Sequence, residues 1–202
     1  MSNNRRLPRA CLAGALLAVG GLAGCGPASS YLEITARPGS EQPRRLHAGF
    51  DDCVFRQDAV RDYHIVARAV TPGDVEDAPP IEELLEVHVY WRPKASKTHD
   101  DPSQTSAVLR YVVRSGDAVA AYVGTGFVYV TRPWPARTLH AQIERAQWRL
   151  ATRSGEPLTD LDPATLTGLL IAAEDPARTA ALQQAVRLAC GSGAAALPAA
   201  GR

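Results

Sequence analysis

The chain has 202 residues, with 22 Lys and Arg against 21 Asp and Glu and a formal net charge of +1 at pH 7. This near-neutral balance, with no basic block, excludes nucleic acid as a partner. The length is that of one domain with a sizeable core.

Residues 1–24 come first and differ in character from the rest. Arg5, Arg6 and Arg9 precede an apolar, small-residue-rich run from Ala10 to Gly24, which ends in Leu22-Ala23-Gly24-Cys25. The run falls short of the roughly 20 residues that a helix needs to cross a bilayer. This stretch resembles the signal peptide and lipobox of bacterial lipoproteins. The resemblance implies removal of residues 1–24, lipidation of Cys25 as the new N-terminus, and a partner in the membrane through that lipid. A single acyl chain binds membranes marginally, whereas two or more anchor stably, so a diacylglyceryl cysteine implies a permanent tether. Gly26 and Pro27 follow, without the aspartate that retains enteric lipoproteins in the inner membrane. The implied location is the cell envelope, at the outer membrane and facing the periplasm.

Residues 25–30 read as a short tether, and 31–191 as a single globular domain. Tyr31 to Arg37 alternates apolar and polar residues, as a half-buried strand does. Pro38 to Leu46, rich in Pro, Gly, Ser and Arg, reads as a loop. Phe50 to Gln57 and Tyr63 to Val70 read as the next two strands, followed by the acidic, proline-rich loop Thr71 to Pro80. In Leu84 to Arg92, Leu85, Val87, Val89 and Trp91 share one face, and Glu86, His88, Tyr90 and Arg92 the other. Pro93 to Gln104 is polar and reads as an exposed loop.

Two long β-rich runs, Ala107 to Arg114 and Val119 to Thr131, flank Ser115-Gly116-Asp117-Ala118 and predict a hairpin. Gly124 and Gly126 inside the second run predict a bulge or strong bend. Thr138 to Thr152 fits both periods. A strand is favoured, because Ser154-Gly155-Glu156-Pro157 then leads into another β run, Leu166 to Ala173. Asp175 and Pro176 open a helix with Leu182, Ala185, Val186 and Ala189 on one face, and Gly191 ends it. Residues 192–202 read as a flexible tail. The expected fold is mainly β (α+β): an antiparallel β-sandwich or barrel of about seven or eight strands with a C-terminal α-helix.

The cysteines bear on stability. Cys11 leaves with the leader and Cys25 goes to lipid, so Cys53 and Cys190 remain. In an oxidising compartment such a pair predicts a disulfide.

The residues that carry chemistry are few. His99, Asp100 and Asp101 sit together in a polar loop, but three consecutive residues cannot easily converge on one ion, and a solvated loop explains them better. His64 and His88 lie on predicted strands and meet if those strands pair, with Glu86 and Glu82 near enough in sequence to join them. No zinc-type spacing is present, so no metal or other cofactor is expected. Trp91 belongs to an aromatic-rich stretch between residues 90 and 148 that suits a ligand surface as well as a core. No Gly-x-Ser-x-Gly elbow or Ser-x-x-Lys motif is present.

These residues predict a non-enzymatic module that binds another envelope protein or a small ligand. Eight antiparallel strands followed by a helix also resemble the lipocalin outline, which implies a carrier of a small apolar ligand. The Gly-x-Trp signature of that family is absent, with Tyr31-Leu32-Glu33 in its place. A hydrolase of envelope polymers is the third reading. It requires converging carboxylates or a histidine-centred metal.

Overall fold

The computed structural model describes residues 29–73, 78–92, 104–133, 137–155 and 160–191. Residues 1–24 with Cys25, the His99-Asp100-Asp101 cluster and residues 192–202 lie outside them.

Nine strands and one helix follow in order: β1 (Ser30–Ala36), β2 (Arg44–Phe50), β3 (Asp52–Gln57), β4 (Tyr63–Thr71), β5 (Ile81–Val89), β6 (Ala107–Ser115), β7 (Ala118–Thr131), β8 (Thr138–Ser154), β9 (Ala164–Glu174) and α1 (Pro176–Cys190). From β3 to β9 each strand pairs antiparallel with the next, and β9 returns to β3 through the parallel pairs Val54↔Ala173 and Phe55↔Glu174. The sheet therefore closes into a barrel. The β1–β2 hairpin joins the wall beside β9, where Tyr31 to Ala36 run against Leu169 to Ala164.

Alternation along the strands explains which side chains point inward. Ile65, Leu85, Leu109, Tyr122 and Trp148 belong to one continuous apolar cluster to which all the strands contribute. At its centre Trp148 stacks on Tyr111 at 4.7 Å and on Tyr122 at 5.7 Å. The Trp148 indole N–H donates to the carbonyl of Leu161 at 3.3 Å, and Tyr111 donates its hydroxyl to Glu83. Burial, and then the Glu83 carboxylate, push the Tyr111 phenol well above its usual range, so it stays protonated. Among the described residues, this aromatic stack and its apolar neighbours occupy the barrel interior.

Several sequence expectations change. Arg44 to Phe50 is a strand, so Arg44 to Leu46 are not part of a loop: Leu46, Ala48 and Phe50 alternate inward, and pairing with β1 fixes them despite the preceding arginines. That makes nine strands where seven or eight were expected. Gly124 and Gly126 do not form a bulge: the extra residues lie in β8, at Ala151 opposite Ala121/Tyr122 and at Glu144 opposite Phe127/Val128. Instead they let β8 approach: a Cβ on Gly124 would lie 1.9 Å from the Gln147 carbonyl oxygen. The region 138–154 is a strand, as favoured.

A further change concerns α1. Asp175 caps it, accepting from the Arg178 N–H, and Gly191 ends it at φ 72°, as the sequence suggests. Its buried residues, however, are Thr179, Gln183, Val186 and Cys190. The expected Leu182, Ala185 and Ala189 pack partly buried beside Val186, and the buried stripe extends from them to a glutamine at the helix middle.

The predicted Cys53–Cys190 disulfide is absent, and both thiols are free. Cys53 packs with the barrel interior, whereas Cys190 packs with Leu84, Val112 and Ala121 outside the wall. Arg178 in the first turn of α1 bonds Asp52, next to Cys53, at 2.7 Å. Cys190 lies three turns further along the helix, roughly 18 Å away at 1.5 Å per residue. A disulfide needs Cα atoms within about 7 Å. Burial pushes the Cys53 thiol up to about 12 and raises Cys190 as well, so neither is a reactive thiolate.

Candidate functional site

The histidines anticipated from sequence do meet. The β4–β5 register pairs His64 with His88, and their rings stack at 4.3 Å with planes 12° apart. Both project from the outer wall, where α1 crosses above them. Around the pair lies a polar network that seals the N-terminal half of the helix against the barrel.

Gln183 is its hub. Its Nε2 donates to Glu86 Oε1 at 2.7 Å and to His64 Nδ1 at 3.1 Å, and its Oε1 accepts from Arg56 Nε at 3.0 Å. Glu86, only 1% exposed, takes a second bond from Arg110 at 3.1 Å. A carboxylate this deep needs a cation and a second donor, and it has both. Because the Gln183 amide nitrogen can only donate, His64 Nδ1 accepts, which places the ring proton on Nε2. Nε2 faces Asp58 Oδ2 at 3.3 Å.

Burial, and then the neighbouring His88, hold His64 below its ordinary pKa. The imidazole is therefore neutral at pH 7. Asp58 has its other oxygen on the N–H groups of Val60 and Asp62 at 3.1 and 2.9 Å. Against a desolvation effect of opposite sign, these bonds and His64 keep its carboxyl below the usual range. His88 bonds Asp62 at 3.0 Å.

This arrangement can lock a helix. His64 has both nitrogens occupied, no nucleophilic hydroxyl or thiol adjoins it in the network, and Gln183 uses both of its amide hydrogens. Among the described residues no three His, Cys, Asp or Glu side chains are grouped to hold a metal ion.

Of the other residues expected near the histidines, Glu86 joins them and Glu82 does not. Glu82 sits between Arg114 and Arg68, bonding Arg68 at 2.7 Å. Although desolvation acts the other way, these two guanidiniums hold its carboxyl below the ordinary value. Trp91 lies apart, edge-on to Phe127 at 6.3 Å and 41% exposed. Arg56, Asp58, Asp62, Arg110 and Gln183 escaped the sequence reading. One signal was present: Gln183 stands one helical turn from Thr179 and Val186, at the spacing of a buried stripe.

A second feature is a seam in the wall. β2 pairs with β1 alone. After Asp51 the chain takes new partners, β3 joining β4 from Asp52↔Arg68 onward, so β2 and the last residues of β4 are left without a strand between them. Arg44, Arg45, His47 and Gly49 are exposed along this edge.

No protein-family model, curated protein or solved structure matches this chain significantly.

Proposed function

We propose that the chain is a lipid-anchored protein of the cell envelope that acts as a non-enzymatic binding module. The observation that carries this reading is the filled interior. Where a carrier needs a cavity of several hundred Å³ for its ligand, this barrel holds the Trp148–Tyr111–Tyr122 stack. The histidines and carboxylates beneath α1 support the non-enzymatic part, since each is taken up by an internal partner. Recognition then falls to the outer surface.

The anchor rests on Arg5, Arg6, Arg9 and the Leu-Ala-Gly-Cys sequence. β1 begins at Ser30, so the tether from Cys25 reaches roughly 17 Å at full extension. That holds the barrel close to the membrane surface, with the outer membrane facing the periplasm as the favoured site.

Two measurements test the reading. Cys25→Ser should abolish incorporation of labelled palmitate and either release the protein from membranes or leave an unprocessed precursor. Unaltered membrane attachment and processing would remove the anchor. Titration of the wild-type protein with N-phenyl-1-naphthylamine should give no saturable fluorescence increase. A saturable rise with one site per chain would favour the carrier instead.

A further inference from the structure

We propose that the free edge of β2 is the docking site of this module and that it takes an extended, acidic segment of another protein as an added strand. The proposal rests on the binding-module reading and names the kind of partner.

Three observations converge on this edge. First, β2 is seven residues long, contains no proline, and has no strand on its outer side among the described residues. An unpaired edge of this kind presents a row of N–H and C=O groups that a second chain can satisfy. Ala69 to Thr71 of β4 pair with β5 only, so the seam offers a second unpaired edge across from β2.

Second, β2 and β4 approach each other across the seam without pairing, and Val70, next to the seam, is 44% exposed. Leu46, Ala48 and Phe50 point inward and hold β2 against the core, so the edge is presented on a rigid support.

Third, the edge carries more cationic than acidic side chains. Arg44 and Arg45 have no side-chain partner among the described residues. His47 stacks on Tyr31 at 5.5 Å and lies opposite Glu33. Two copies meeting edge to edge would bring arginines together, and like charges across a strand pair repel. The occupant that fits is therefore not a second copy but a strand with carboxylates opposite Arg45 and His47.

The test makes strand addition intramolecular, so that weak affinity cannot hide it. The full chain is extended at Arg202 by a flexible Gly-Ser linker and the strand Thr-Glu-Val-Glu-Val-Glu-Thr. Two control chains carry lysine in place of each glutamate, or proline at the strand centre. Amide hydrogen exchange is then read across residues 44–50. The acidic strand should slow exchange there by at least about tenfold, as expected at the millimolar effective concentrations of a short linker. The proline strand should leave it unchanged. Arg44→Glu with Arg45→Glu should transfer the protection to the lysine strand.

Absence of slowing with the acidic strand, or equal slowing with the lysine strand, overturns the proposal. Either result leaves the module reading intact if N-phenyl-1-naphthylamine still fails to bind. Saturable dye binding would overturn that reading whatever β2 does.

Discussion

The barrel wall has two packed faces, and they are built on different chemistry. The inner face is apolar and aromatic, with Trp148 in the middle and its one polar atom bonded to a backbone carbonyl. The outer face beneath α1 is divided. Val186 and Cys190 meet Leu84, Val112 and Ala121 at one end, and Gln183 meets His64, Glu86 and Arg56 at the other. Apolar packing inside stabilises in proportion to the area removed from water. The polar half of the helix interface gains little net energy, but leaving any one of its groups unpaired is costly. The inner face therefore supplies stability, and the outer one fixes where the helix sits.

The sharpest way to break this contrast is to remove Trp148. Trp148→Ala empties the centre of the stack and should lower unfolding stability by about 3–5 kcal/mol in urea titration. A loss below about 1 kcal/mol would mean that the interior is not packed around it.

Gln183→Leu comes next. It leaves Glu86, Arg56 and His64 each short of one bond and should cost about 1–3 kcal/mol. If the two faces are independent, the double variant with Trp148→Ala should be additive within about 0.5 kcal/mol. Strong coupling would show that helix position and core packing are one unit.

Acid sharpens the comparison further, because only the outer face titrates near neutrality. Burial holds His64 below its ordinary value of 6.5, so between the folded and unfolded pKa values the unfolded chain binds the proton more readily. The stability contributed by neutral His64 is fully present above about pH 6.5 and is lost as pH falls toward the folded value. His64→Gln should flatten that part of the stability–pH curve. Asp58 has the opposite kind of shift. Its contribution lies above the ordinary carboxylate value of 3.8 and fades only below it, so the two windows separate. An unchanged slope in His64→Gln would assign the acid response elsewhere.

The smallest effect belongs to the surface. Arg178 and Asp52 pair at 2.7 Å with the arginine side chain 53% exposed. Arg178→Ala should therefore change stability by no more than about 0.5 kcal/mol and lose even that at high salt. A much larger loss would make this contact a fastener of α1 equal to the buried network.

The same contrast explains what could be read from sequence. Alternation in Leu84 to Arg92 and the Ser115-Gly116-Asp117-Ala118 turn are local signals: β6 and β7 form where the turn places them, and β5 follows the alternation but runs from Ile81 to Val89, leaving Trp91 outside it. β2 was hidden, because Arg44 and Arg45 sit at the start of a strand whose pattern becomes clear only opposite β1. The polar network was half legible. His64, His88 and Glu86 followed from strand pairing, but Gln183 lies 119 residues from His64, and nothing local links them. The disulfide expectation failed for a related reason: cysteine counting does not show which side of a wall each thiol occupies. In denaturant without reductant, both Cys53 and Cys190 should react with a thiol reagent. Recovery of neither would restore the bond.

A closed barrel with the Trp148–Tyr111–Tyr122 stack inside it leaves the outer surface for the proposed binding role. Xenon tests this most directly, since it enters dry apolar cavities and is not admitted by packed cores. Methyl resonances of Ile65, Leu85, Leu109 and Leu139, all fully buried, should shift only slightly and linearly as xenon pressure rises. Saturable shifts confined to these methyls would reveal an internal cavity and contradict the account.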